Sequence, residues 1–122
     1  MFLTSNIILF FIVGVPAAVN KITVDTILGT SAIVRWQQLS VGGIDEDHIT
    51  VYELWLAKES NPNTAKYINA SSNDTQVLKD LTRNTRYEVK VRATSAIGKG
   101  LWSSTAYFKT ARSGTYSQIF LQ

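Results

Sequence analysis

The residues able to do reaction chemistry are few, and their spacing assembles no reaction centre. His48 is the sole histidine and cysteine is absent, so neither a nucleophile–base–acid triad nor a two-histidine or thiolate metal site can be built. Asp45, Glu46 and Asp47 stand consecutively beside it. Adjacent acids point different ways and lack the ligand spacing of a calcium loop, which leaves a solvated loop. No glycine-rich phosphate loop occurs in the chain. A hydrolase would need a perturbed acid and base sharing a cleft, and nothing in the sequence nominates such a pair. The chain therefore reads as non-catalytic, with no cofactor and no metal.

Two triplets carry a different chemistry. Asn69-Ala70-Ser71 and Asn73-Asp74-Thr75 are acceptor sequons for N-glycosylation. They matter only if the chain enters the secretory pathway, and Asn73 is favoured because its triplet carries threonine.

The elements that position these residues belong to one domain. A chain of 122 residues fits a single ordinary domain. Its hydrophobic share of 45% with only 17% charged residues is the mix of a folded chain. Trp36, Tyr52, Leu54, Leu56, Leu81, Tyr87, Val89 and Val91 are the large groups that need burial. Lys and Arg exceed Asp and Glu by three, but they are scattered, whereas a nucleic-acid binder clusters them on one face with aromatics for stacking. Nucleic acid is excluded as a partner on that pattern. Without cysteine there is no disulfide framework, so the apolar core must suffice.

Met1 to Val15 holds no charged side chain and has an apolar run from Ile7 to Val13. That run is far short of the roughly 20 residues needed to span a bilayer, so the chain contains no membrane span. It matches the apolar stretch of a secretory signal, followed at Val15-Pro16-Ala17 by a small-residue cleavage site. The mature chain would then start at Ala17, Ala18 or Val19. The alternatives are a first sandwich strand, which Pro16 also suits, or a remnant of a truncated gene.

Past Pro16 the pattern becomes short alternating runs between polar or glycine-containing turns. Strands are expected at Lys21–Val24, Ser31–Trp36, Ile49–Lys58, Lys66–Asn69, Thr75–Leu78, Tyr87–Ala93 and Ser104–Thr110. Gly29 marks a turn, residues 41–47 a loop, Asn61-Pro62-Asn63 a break, and Gly98-Lys99-Gly100 a tight turn. A period of two puts Ala32, Val34 and Trp36 together, and Tyr52, Leu54 and Leu56 toward the core. Val51, Glu53 and Trp55 then face outward. Trp55, an aromatic on the solvent side with an apolar neighbour, is the leading candidate for partner contact, against the alternative that a neighbouring side chain covers it. Seven short strands so spaced predict an all-β, immunoglobulin-like sandwich of two antiparallel sheets.

Three residue sets go further. Trp36 closes the second strand. Leu81-x5-Tyr87 runs straight into Val89, Val91 and Ala93. Gly98-x-Gly100-x-Trp102-Ser103 precedes the last strand. Together, over Pro16 to Thr110, they resemble the fibronectin type III family. The resemblance implies that family's topology, a core tryptophan at Trp36, and a tyrosine corner at Leu81 and Tyr87. It also implies that Trp102 lies across Lys90 and Arg92. The implied organisation is a signal peptide or apolar segment at 1–17, the fibronectin type III domain at 18–111 and a C-terminal tail at 112–122.

Within the family, Val89-Lys90-Val91-Arg92-Ala93, Ala96-x-Gly98-x-Gly100, Ala106–Thr110 and Tyr116 are similar to the membrane-proximal repeat of Eph-type receptor tyrosine kinases. Similar strings occur in receptor phosphatases and adhesion molecules, and the ligand-binding domain, membrane span and kinase of such receptors are missing here. Lys99 sits where some members carry an integrin-recognition tripeptide, which this chain lacks, and it joins Val51, Glu53 and Trp55 as a candidate partner contact. The function implied is a non-catalytic extracellular or cell-surface module that binds another protein, secreted or receptor-derived. The alternatives are a structural spacer or a truncated fragment of an Eph-like receptor, membrane-associated through a missing parent sequence.

Overall fold

The computed structural model describes residues 14–39 and 49–113. Seven strands run in chain order: β1 Asn20–Asp25, β2 Ala32–Gln37, β3 Ile49–Lys58, β4 Asn61–Asn69, β5 Thr75–Leu78, β6 Arg86–Ser95 and β7 Ala106–Lys109. They form two antiparallel sheets, β1-β2-β5 and β4-β3-β6-β7. The architecture is the seven-strand, two-sheet sandwich that the alternation predicts, with the fibronectin type III topology that the resemblance implies.

Alternation explains the packing. Ala32, Val34 and Trp36 of β2 face Tyr52, Leu54 and Leu56 of β3 and Tyr87, Val89, Val91 and Ala93 of β6, all of them buried. The Trp36 and Tyr52 rings meet at 5.6 Å, and Tyr87 stacks on Phe108 at 5.5 Å. Tyr87 is buried, and its hydroxyl oxygen accepts the Thr82 N–H at 2.8 Å. Leu81 is buried beside it, and its N–H donates to the Thr30 carbonyl. The corner therefore ties the connection after β5 to β6 while satisfying a phenol that would otherwise be stranded in the core. Tyr52 makes the same bargain at the other end, its hydroxyl accepting the Leu39 N–H at 3.0 Å.

Three local expectations are corrected. Asn61-Pro62-Asn63 is no break, since β4 begins at Asn61 directly after a two-residue hairpin at Glu59 and Ser60. Pro62 is tolerated because β4 is an edge strand, where a missing N–H faces away from the ladder. The tight turn lies earlier than the glycines: the Ser95 N–H donates to the Gly98 carbonyl and Thr94 bridges Lys99. Gly100 is needed for close approach instead, because a Cβ there would stand 2.6 Å from the Pro16 carbonyl oxygen. The last strand is also shorter than expected, Ala106–Lys109 rather than Ser104–Thr110.

Pro16 belongs to this packing. Its carbonyl accepts the Leu101 N–H at 3.2 Å. Residues 1–13 of the apolar segment, the acidic loop with His48, and residues 114–122 of the tail, Tyr116 included, lie outside the described residues.

Candidate functional surface

The outward residues of the four-stranded sheet form a connected stack of rings and charges. Register sets it up. Tyr67 of β4 pairs with Trp55 of β3, which pairs with Lys90 of β6. One step along the face, Asn69 pairs with Glu53 and Glu53 with Arg92. These rows must point outward because their neighbours Leu54, Leu56, Val89 and Val91 fill the core.

Trp102 crosses the rows. The Arg92 guanidinium carbon lies 4.2 Å from its ring centroid, and Lys90 Nζ lies 5.3 Å from it and 4.7 Å from the Trp55 ring. The Tyr67 ring meets Trp102 at 6.3 Å. Each cation sits on a negative π face, a geometry that holds both side chains in place. Glu53 completes the stack: its Oε1 accepts both Arg92 Nε at 2.8 Å and the second guanidinium nitrogen at 2.7 Å. Both side chains of that pair are about 15% exposed, so the contact is far better shielded from solvent than a typical surface ion pair.

Ser103 explains why Trp102 lies where it does. Its N–H donates to the Val91 carbonyl at 2.8 Å and its Oγ accepts the Val91 N–H at 2.9 Å. The Ser103 hydroxyl in turn donates to the Ser104 carbonyl. A buried serine thus closes β6 in place of a strand partner and fixes the preceding residue over the sheet. The contact of Trp102 with Lys90 and Arg92, implied by the family resemblance, is present.

The predicted contact residues fall unevenly around this stack. Trp55 and Glu53 are inside it; Trp55 is half-buried, with Lys90 lying on its ring. Val51 is half-buried on the same strand opposite Thr94. Lys99 is exposed beyond β6 and makes no ring or ion-pair contact with the stack. Tyr67, 60% exposed, went unnoticed in the sequence, as did Tyr107, 58% exposed opposite Glu88. Register shows that they share the face of Trp55, Tyr67 opposite Trp55 itself and Tyr107 opposite the outward Glu88 of β6. Asn69 and Asn73 are exposed, one ending β4 and one in the following loop.

Other chemistry finds little footing. Among the described residues no group of three or more His, Cys, Asp and Glu could hold a metal ion, and no helix is long and apolar enough to cross a membrane. One recess of about 160 Å³ opens beside Leu56, Lys58, Lys66, Asp80, Thr82 and Tyr87. It has a single carboxylate and is well below the roughly 300 Å³ of a usual ligand cleft. Burial raises the Tyr52 phenol above its ordinary value of 10.0, partly offset by the Leu39 N–H, so the buried side chain keeps its proton at neutral pH.

A family model described as fibronectin type III domain matches residues 17–109. Among solved structures, one titled "Myokine structure" is 27% identical with a TM-score of 0.68, covering 80% of this chain and 99% of that one. The FN1-FN3 domains of chicken CNTN1 are 20% identical with a TM-score of 0.66, covering 80% of this chain and 33% of that one. The fn3 domain of human contactin 1 is 16% identical with a TM-score of 0.69, covering 84% of each chain.

Proposed function

This chain belongs to the fibronectin type III domain family, and from that premise we propose that it is a non-catalytic, extracellular protein-binding module. Residues 1–17 are its secretory leader or, as the seat of Pro16 against Leu101 favours, an apolar segment kept with the domain, and residues 112–122 are a tail beyond the recognition domain. The observation that carries the reading is the outer face of the four-stranded sheet. Trp55, Trp102, Lys90, Arg92 and Glu53 lock into a rigid platform, and Tyr67 and Tyr107 stand exposed on it. Rigid aromatic surface backed by fixed charge is what a partner can bury at little entropic cost, and aromatic and Arg side chains dominate binding hot spots. Val51 extends the platform along β3, and Lys99 supplies a cation at its margin.

The purified full chain applied to an arrayed panel of cell-surface ectodomains tests this. Wild type should bind at least one panel member. Tyr107→Ser should weaken that binding tenfold or more. Val77→Ser, an exposed position on the other sheet, should leave it unchanged. A chain silent across the panel, or one indifferent to both substitutions, would make this domain a spacer between other domains.

A further inference from the structure

The end of β4 holds more than a sequon. Tyr67 and Asn69 are two residues apart on one strand, so both point to the outer face, with Cα atoms roughly 7 Å apart. The pairings say the same: Tyr67 stands opposite Trp55, and Asn69 opposite Glu53. The Tyr67 ring is backed on one side by Trp102 and otherwise open. Asn69 is exposed, and its side-chain amide makes no hydrogen bond with any described residue. Ala70 and Ser71 complete the acceptor triplet. Asn73 differs, since it lies in a loop between Ser72 and Asp74 with no aromatic residue two positions before it.

We infer that Asn69 is an N-glycosylation site whose first N-acetylglucosamine packs on the exposed face of Tyr67. In the transfer, Asn69 Nδ2 gives up a proton and bonds to C1 of the reducing-end sugar of a lipid-diphosphate-linked oligosaccharide. The bond from C1 to the phosphate oxygen breaks and the lipid diphosphate leaves, with no change of oxidation state. The pyranose C–H bonds then meet the negative face of the Tyr67 ring, the arrangement that an aromatic quadrupole favours. The sugar also covers part of β4, an edge strand among the described residues, whose outer backbone would otherwise offer a template for association. It confines a protein partner to the Tyr107 side of the platform.

The inference rests on the proposal that the chain is secreted, so the test reads secretion and occupancy separately. The full chain is expressed in cultured animal cells. Medium and cell fractions are assayed, Asn69 is scored by peptide mass spectrometry, and thermal unfolding is followed after trimming to one sugar and after complete removal. The expected result is secreted protein with Asn69 occupied. Trimming to one N-acetylglucosamine should leave the unfolding midpoint in place, and complete removal should lower it by about 4 °C, a shift of readable size for such a domain. Tyr67→Ala should abolish that drop and Tyr67→Phe should keep it. Secreted protein with Asn69 bare would overturn the inference and leave the proposed function standing. Protein retained unglycosylated in the cytosol would overturn both. An occupied Asn69 whose midpoint drop survives Tyr67→Ala would overturn the seat on the ring.

Discussion

Strands β3 and β6 each present two faces made from alternate residues, and the two faces cohere for different reasons. Toward the core, Leu54, Leu56, Val89 and Val91 are at most 2% exposed and belong to the apolar cluster. Outward, Glu53, Trp55, Lys90 and Arg92 make an ion pair and three cation–π contacts with help from Trp102. The inner face is non-directional and tolerates shape-conserving change; the outer face is directional, so removing one member strips contacts from several others. A sheet that only needed covering could use scattered polar residues there. A locked aromatic and charged layer on the wet side is the observation on which the proposed binding role rests.

The largest effect should come from breaking the inner face. Leu54→Ala removes a fully buried side chain and should cost about 3 kcal/mol in urea unfolding. Because no charge is involved, the loss should be the same at low and high salt. Breaking the outer face should cost less and behave differently. Trp102→Ala removes the ring shared by Lys90, Arg92 and Tyr67, a loss of about 1–2 kcal/mol. That loss should shrink in about 1 M salt, where exposed electrostatics are screened. Equal salt response for the two substitutions would erase the contrast between the faces.

The smallest effect is a pH dependence that sharpens the inner half of the comparison. The folded Tyr52 phenol holds its proton to higher pH than the free side chain, whose value is 10.0. Above pH 10 the unfolded chain loses this proton first, so it binds fewer protons than the folded chain and stability falls as pH rises. Chemical denaturation at stepped alkaline pH should show this decline. In Tyr52→Phe the decline should be shallower, with a lower plateau at neutral pH because the Leu39 N–H loses its acceptor.

How much of this was legible depends on whether a feature is local. The bounds of Ile49–Lys58 and Thr75–Leu78, and the eight expected core residues, follow from alternation alone and stand as read. The start of β4 was hidden because Pro62 signals a break unless the strand is known to be an edge, which only topology reveals. Gly98 and Gly100 advertised a turn, yet Gly100 exists for the close passage of Pro16, a residue more than eighty positions away. Trp55 could be placed outward but not beneath Lys90, because cover comes from the neighbouring strand. Tyr67 escaped notice for the same reason, since its company depends on register between β4, β3 and the Trp102 segment.

The most direct test of the recognition face is covalent solvent footprinting of the full chain, free and bound to the ectodomain it selects. Tyr107 should lose labelling on binding while Val77, exposed on the opposite sheet, keeps it. Protection of Val77 with Tyr107 unchanged would put the partner on the other sheet and contradict the account.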